Sequence, residues 1–335
     1  MNNISPQRHE QGEPWFDDGN LVLLTDKPPV AFKVHRGVLA RHSEIFQSMF
    51  EMPSPSQTDV ETLDNCQVVR MYDLPVELSS LIKALYDGAS FQNNCVEDFF
   101  YLAGILRLAT KYFIAHMRTQ AIHHLSQTWS HTLRGHDLML ELAIKSPEVD
   151  GLTYPYVHPL HVLNLAHETN VSVVVPSALY FLSLYPLHDI LRGDHAKLKV
   201  QHPSRPSSDL SARQMQDYTL MFQHRLDLLL DFIRRVCGQR TASSYCKGDP
   251  TMCTKAFSRL ASRLSRGWMI RTGPFHYMVQ AVDELAEDPN LCMPCQRAFG
   301  QDVIIARYKL WQELPSVVGL PSWKELISRD LEQSS

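Results

Sequence analysis

The sequence predicts an α+β domain, with a small sheet and surrounding helices, followed by a mainly α-helical C-terminal region. An apolar run over residues 21–24 and an alternating pattern over residues 30–34 are typical of two neighbouring strands. Pro28 and Pro29 lie between them and predict a turn, because proline has a fixed φ and no amide donor. After His35 the apolar spacing becomes helical, and helical spacing then dominates the rest of the chain.

A helix pair is predicted directly after the second strand. Ser43 is a suitable N-cap for the second helix of the pair, and Glu44 next to it is favoured by the helix dipole. The apolar positions of the pair fall on one helical face, and they are Val38, Leu39, Ile45, Phe46, Met49 and Phe50.

A third strand and a further helix are predicted after a polar loop. Residues 67–74 have strand composition, and Pro75 is suited to the first position of a helix, where its missing N–H has no cost. Gly88 lies just past the end of that helix. Apolar spacing then predicts one helix over residues 96–106 and another over residues 108–125.

The stretch from the second strand to the end of the helix pair resembles the BTB/POZ family. The family pattern is F-x-V-H-[RK]-x-x-L-A-x-x-S-x-x-F-x-x-M-F. The matching residues are Phe32, Val34, His35, Arg36, Leu39, Ala40, Ser43, Phe46, Met49 and Phe50. The resemblance implies the BTB fold and a role in protein–protein interaction.

The resemblance also implies a candidate partner-binding site formed by Asn20, His35 and Arg36. In family members that recruit corepressors, an acidic residue opening the first strand and the basic residue matching Arg36 form a charged pocket. Asn20 stands here in place of that acid. Two interpretations stay open: Arg36 contacts a carboxylate of a partner, or His35 satisfies backbone groups at the turn while Arg36 lies along the surface.

The order of these patterns predicts five segments. Residues 158–169 also resemble a group of fungal BTB proteins, through His158, Pro159, Val162, Leu165, Ala166, Glu168 and Thr169. We expect the BTB part to fold as an independent unit. The predicted segments are a disordered N-terminus (1–14), the BTB/POZ domain (15–130), a helical extension (131–192), a flexible linker (193–213) and a helical C-terminal region with a cysteine cluster (214–335).

Four of the seven cysteines are candidate ligands of a structural zinc ion. Cys292 and Cys295 have the two-residue gap with which both thiolates reach one ion from a tight turn. Cys246 and Cys253 precede them at a looser spacing, and a helix followed by a turn would let the chain return. His276 could replace one cysteine, and Cys237 is a further candidate. Free intracellular thiols and a redox-active C-x-x-C are alternative interpretations.

Composition restricts the class of protein. The chain has 335 residues and a formal net charge of −4, so it has no general attraction to nucleic acid or to an anionic membrane. No apolar run is long enough to span a bilayer, and no secretory apolar core opens the chain. We therefore expect an intracellular protein, in the cytoplasm, the nucleus or both, with reduced cysteines.

These observations predict a non-enzymatic scaffold or adaptor that acts through protein–protein interaction. The common catalytic and phosphate-binding motifs are absent from the sequence. One alternative is a substrate adaptor of a cullin-3 ubiquitin ligase, although the hydrophobic-x-Glu letters at residues 49–51 come several residues earlier than in known adaptors. Another is a transcriptional co-regulator. Self-association is expected to be weak, because the segment before Trp15 is short and polar.

Overall fold

A computed structural model of the chain describes residues 9–52, 61–266 and 273–332. Its strands are β1 Glu10–Gln11, β2 Leu21–Thr25, β3 Val30–Val34, β4 Thr62–Leu63 and β5 Cys66–Met71. Its first helices are α1 Arg36–His42, α2 Glu44–Glu51, α3 Pro75–Asp87, α4 Val96–Lys111 and α5 Ala115–Thr128. The later ones are α6 Leu133–Lys145, α7 Pro159–Glu168, α8 Val175–Leu182, α9 Leu187–Arg192, α10 Ala196–Lys199, α11 Ala212–Asp231, α12 Pro250–Arg266, α13 Pro274–Ala286, α14 Met293–Glu313 and α15 Trp323–Asp330. A π-helical segment, Phe232–Gly238, continues α11, and a 3-10 helix, Leu314–Val318, follows α14.

The predicted small sheet is present, with strand order β1-β3-β2-β5-β4. The hairpin of β2 and β3 is antiparallel, with Leu23 opposite Phe32, and β5 pairs parallel to β2 on its other side. All five residues of β2 are buried, because apolar side chains cover both faces of the strand. This double burial explains why residues 21–24 are continuously apolar rather than alternating.

Local chemistry sets the boundaries of the predicted helix pair and of α3. The Ser43 hydroxyl accepts a hydrogen bond from the Phe46 amide at 3.1 Å, as an N-cap does. Pro75 is the first residue of α3, and Gly88 ends it with φ of 86°. The boundary between α4 and α5 differs from the prediction, because α4 continues to Lys111. The break follows at Phe113, which has φ of 53°.

The structure differs from the predicted N-terminal disorder at residues 10–12. The short strand β1 pairs parallel with β3, and the amides of Glu10 and Gly12 donate to the carbonyls of Pro29 and Ala31. Backbone pairing of this kind does not depend on side-chain hydrophobicity, so the polar composition gave no sign of it. Residues 1–8 of the same predicted segment lie outside the described residues.

Helix α4 contributes to two hydrophobic cores. Ile105, Leu108 and Ala109 pack in the core between the sheet and α3. Phe100 and Leu106, on other faces of the same helix, pack in a core that continues into the C-terminal helices. Helix α5 also contributes buried residues to both of these cores. The predicted domain at residues 15–130 and the predicted extension after it therefore share a buried surface.

The segment predicted as a flexible linker, residues 193–213, packs against the rest of the chain. It contains α10, and the His202 ring stacks on Phe100 of α4 with 4.5 Å between the ring centroids. The Lys197 ammonium donates to the Pro155 carbonyl at 2.7 Å. Hydrogen bonds of this kind let a polar segment lie against a core without orphaned groups. The segment boundaries themselves stay predictions.

A third core holds the cysteine-rich part of the C-terminal region together. Its buried side chains come from the end of α11, the π-helical segment, α12, α13 and α14, with Phe232, Phe257 and Phe299 among the largest. Among the described residues, no helix combines the length and the apolar composition that a membrane crossing requires.

Candidate interaction surface and metal centre

The three residues predicted as a partner site lie together where β3 joins α1. The Asn20 side-chain oxygen accepts a hydrogen bond from the Arg36 amide at 2.8 Å, so it satisfies one of the free donors at the start of α1. The Arg36 guanidinium lies 4.7 Å from the Phe50 ring centroid and donates to the Phe50 carbonyl. Both contacts agree with the interpretation in which Arg36 lies along the surface.

His35 is held from two sides. Its amide donates to the Tyr86 hydroxyl at 2.9 Å, and its Nδ1 lies 2.9 Å from the same hydroxyl oxygen. Its Nε2 lies 3.3 Å from a carboxylate oxygen of Asp18. The Phe16 ring stacks on Tyr86 with 4.3 Å between the centroids. His35 thus joins the start of α1 to α3 and to the segment before β2.

An apolar patch lies elsewhere on the same domain. Its members are Ile45, Tyr72, Leu74 and Phe113, and Tyr72 and Phe113 are 81% and 62% exposed. Hydrogen bonds bring the three segments that carry them together. The Ser43 hydroxyl donates to the Tyr112 carbonyl at 2.6 Å, and the Tyr112 hydroxyl donates to Asp73.

The four predicted cysteine ligands converge in the C-terminal region. Cys246 lies in the loop before α12 and Cys253 in the first turn of that helix, while Cys292 is the N-cap of α14 and Cys295 lies in its first turn. The four Sγ atoms all lie within 4.8 Å of one another. The Cys246 sulfur is 3.6 Å from that of Cys292 and 3.7 Å from that of Cys253.

Backbone amides point at these sulfurs. The Ser243 amide donates to Cys295 Sγ at 3.3 Å, and the Cys292 amide donates to Cys253 Sγ at 3.5 Å. Cys253 and Cys295 are buried, whereas Cys246 and Cys292 are half-buried. Donors aimed at sulfur stabilise the thiolate, which is the form that binds a metal.

The surroundings shift the pKa values of Cys253, Cys292 and Cys295 in different directions. Burial raises the pKa of Cys292, but backbone amides that include those of Cys295 and Gly248 outweigh burial and lower the pKa to about 6. Burial raises the pKa of Cys253, and it raises the pKa of Cys295 to about 12. Of these three thiols, Cys292 ionises most readily.

The two alternative ligands considered from the sequence are not part of the group. Cys237 is buried in the same core, but the described residues that could hold a metal together are the four cysteines. His276 lies instead near the charges of Asp137 and Arg307, and burial lowers its pKa. A cluster of four cysteines at these distances could hold zinc.

Comparison with protein families identifies the N-terminal part. The model of the BTB/POZ domain matches residues 19–128. The chain carries a BTB/POZ domain. No curated protein and no solved structure matches the chain in such comparisons. The BTB match covers the sheet from β2 onwards and the helices α1 to α5, and it ends before the cysteine cluster.

Two features of these sites had no sign in the sequence. Phe113, a member of the apolar patch, has a left-handed backbone conformation, which no glycine or asparagine in the sequence signals. Gly248 lies over the cysteine cluster, where an added Cβ would be 3.2 Å from Cys292 Cβ. The sequence Gly-Asp-Pro at residues 248–250 predicts a turn, but only the folded structure shows that this turn lies next to the cysteine sulfurs.

Proposed function

We propose that this chain is a non-enzymatic scaffold or adaptor that binds protein partners through its BTB/POZ domain. BTB domains typically mediate protein–protein interaction, and the match at residues 19–128 is of that kind. The observation that carries the proposal is the apolar patch. Tyr72 and Phe113 expose large rings on two segments that the hydrogen bond from Tyr112 to Asp73 joins, and exposed rings on a folded domain are typical of a surface that a partner covers.

The patch has the composition of an interface centre rather than of a general surface. Aromatic side chains provide much of the binding energy of protein interfaces when a partner buries them. The ion pair between Lys111 and Asp73, at 2.6 Å, borders the patch and supplies polar groups of the kind found at an interface rim. In this proposal the C-terminal helices support the domain, and the cysteine cluster belongs to that support.

Cullin-3 is the first partner to test, because BTB domains often bind it. Met52, just after α2, is exposed and could extend the contact surface, while Pro53 and Ser54 lie outside the described residues. Transcriptional co-regulation is a second candidate. We also propose an intracellular location, in the cytoplasm, the nucleus or both. A relation to fungal BTB proteins is proposed as well.

The test is an affinity purification with the full chain as bait, read by mass spectrometry and followed by direct binding to the purified cullin-3 N-terminal domain. The double variant Tyr72→Asp/Phe113→Asp removes the exposed rings, and aspartate tolerates the left-handed backbone of Phe113. We expect the variant to lose at least tenfold in affinity for the partner that the wild type retains.

The matched control is Ile304→Asp/Ile305→Asp, which changes two equally exposed apolar residues of α14 outside the BTB domain. The control should bind as the wild type does. Equal binding by the wild type and the patch variant would contradict the proposed surface. Retention of cullin-3 supports the ligase adaptor, and retention of chromatin proteins supports the co-regulator.

A further inference from the structure

We infer that Cys246, Cys253, Cys292 and Cys295 bind one structural zinc ion, which ties the loop before α12 to the first turns of α12 and α14. The inference concerns the C-terminal region alone. It does not depend on the partner proposed for the BTB domain, since the cysteines lie outside the matched residues 19–128.

The distances between the sulfurs fit a tetrahedral ion. Zinc binds cysteine sulfur at about 2.3 Å, and four sulfurs at the corners of a tetrahedron of that size lie about 3.8 Å apart. The Cys246 sulfur lies 3.6 Å from Cys292 Sγ and 3.7 Å from Cys253 Sγ. The whole set lies within 4.8 Å. A contraction of up to about 1 Å in the longest of these sulfur–sulfur distances would bring all four into one coordination shell.

The ligands come from three places in the chain, which is typical of a site that joins elements. Cys292 and Cys295 are separated from Cys253 by the whole of α13, and Cys246 comes from a loop without regular structure. The loop also contacts both helices through the Ala242 amide, which donates to the Thr254 hydroxyl of α12 at 3.1 Å, and through Arg240, which lies 2.6 Å from Asp302 of α14. A metal ion at the sulfurs would add a further link between the loop and both helices.

The surroundings match a closed structural site rather than a catalytic one. Four thiolates fill a tetrahedral shell and leave no position for water or substrate. The amides of Ser243 and Cys292 donate to sulfurs of the cluster, as outer groups that orient metal ligands do. A side chain at Gly248 would lie 3.2 Å from Cys292 Cβ and 3.8 Å from Cys253 Sγ, so the loop or the cysteines would have to shift to admit it.

A redox-active pair accounts for less of this arrangement. A disulfide between Cys292 and Cys295 would use two of the four sulfurs and would leave no role for Cys246 and Cys253. Unrelated free thiols would not need to gather four sulfurs from three parts of the chain. Cys237 is an example of an isolated free thiol, because it is buried in the same core but lies outside the group of four sulfurs.

The test is metal analysis of the full chain, purified without chelator, by elemental mass spectrometry. We expect about one zinc per chain. Replacement by Co²⁺ should give the visible absorption bands of a tetrahedral thiolate site, a signature that a disulfide or free thiols lack. A chelator should lower the melting temperature of the C-terminal region, since binding at a structural site is coupled to folding.

Two kinds of variant separate loss of metal from loss of packing. Cys292→Ser and Gly248→Val should reduce zinc to well below half an ion per chain. Cys237→Ser changes a buried thiol of the same core and should keep about one zinc, even though it is less stable than the wild type. Loss of zinc in Cys237→Ser as well would mean that metal content only reports folding, and would overturn the assignment.

The wild-type protein alone can also refute the inference. A metal-free chain that takes up neither Zn²⁺ nor Co²⁺, and whose melting temperature is the same with and without chelator, overturns it. A mass lower by two hydrogens, with a Cys292–Cys295 disulfide found by peptide mapping under native conditions, would support the redox interpretation instead.

Discussion

His136 is a fully buried histidine in an aromatic environment. The rings of Tyr180, Phe181, Phe275 and Trp311 surround it, all with centroids within 6 Å of its own. Among the described residues, neither ring nitrogen has a hydrogen-bond partner. Burial, with a further contribution from the charge of Arg307, lowers the pKa of His136 to about 3. The imidazole is therefore neutral in the folded protein throughout the physiological range.

This burial predicts a loss of stability in mild acid. The unfolded chain takes up a proton at His136 below its ordinary pKa of 6.5, whereas the folded chain does not until about pH 3. The contribution of His136 to the free energy of unfolding is therefore greatest above pH 6.5 and falls by about 1.4 kcal/mol per pH unit below it. Denaturant unfolding at pH 7 and at pH 5 measures the difference.

The variant His136→Phe should have a shallower pH slope, because it removes the titrating group and keeps a ring in the aromatic cluster. His123→Phe changes an exposed histidine and serves as the control, with the slope of the wild type expected. Equal slopes in all three proteins would show that other groups govern the acid sensitivity.

For single residues, the sequence predicts those roles that depend only on neighbours along the chain. Ser43 caps α2, Pro75 opens α3 and Gly88 ends it, and each of these roles follows from neighbours within a few residues. The surroundings of His136 could not be predicted in the same way. Its partners come from α8, α13 and α14, and no pattern around residue 136 indicates which distant rings will reach it.

At the scale of elements, Arg107 of α4 connects three other parts of the fold. Its Nη1 donates to Glu77 of α3 at 2.7 Å and to the Ser204 carbonyl at 2.8 Å. Its Nε donates to Glu168 of α7 at 2.6 Å. The Glu77 side chain is only 5% exposed, so its carboxylate depends on Arg107 as a partner.

Removing the Arg107 guanidinium should lower the free energy of unfolding. Arg107→Met leaves the Glu77 carboxylate buried without its cation, and we expect a loss of about 3–5 kcal/mol in the free energy of unfolding. The double variant Arg107→Met/Glu77→Met removes both charges and should recover most of that loss. Chemical denaturation of the two variants and the wild type measures both quantities. A double variant as unstable as the single one would mean that packing or the Glu168 contact dominates.

The helix boundaries show which elements the sequence could predict. Helices with proline, glycine or a capping serine at their ends are predicted well, but the break between α4 and α5 is not. The left-handed Phe113 lies there, and the Ile114 amide bonds back to the Ala109 carbonyl at 2.8 Å. Bulky residues seldom adopt this conformation, so tertiary packing overrides the local preference.

At the scale of the whole molecule, the shared core changes the expectation for an isolated BTB fragment. The sequence predicted an independently folding unit over residues 15–130. In the structure, α4 and α5 turn Phe99, Leu106, Ile122 and Leu125 toward the C-terminal helices, where all are buried. We therefore expect a fragment of residues 10–132 to expose this face, to bind hydrophobic dyes and to aggregate.

A fragment with Leu106→Glu and Leu125→Lys provides the control, because these changes make the exposed face polar without touching the core against the sheet. It should be more soluble than the unmodified fragment by gel filtration. A monomeric, cooperatively unfolding unmodified fragment would instead support the independent unit that the sequence predicted.

The cysteine cluster shows the limit of sequence at this scale. The two-residue gap of Cys292 and Cys295 is a strong local pattern, and it was sufficient to suggest a metal. The sequence also named Cys246 and Cys253 ahead of Cys237, although at a looser spacing. Only the packing of the helices brings these four sulfurs within 4.8 Å of one another and leaves Cys237 outside the group.

Helix α4 also makes each half of the molecule sensitive to what the other half binds. Local opening of either half disturbs side chains that belong to both cores, so the slowest amides of the two halves should exchange with solvent through one common opening. A partner bound to the apolar patch, at a free concentration one hundred times its dissociation constant, would raise the free energy of that opening by about 2.7 kcal/mol. Slower hydrogen exchange would then reach α7 and α8, which the partner never touches.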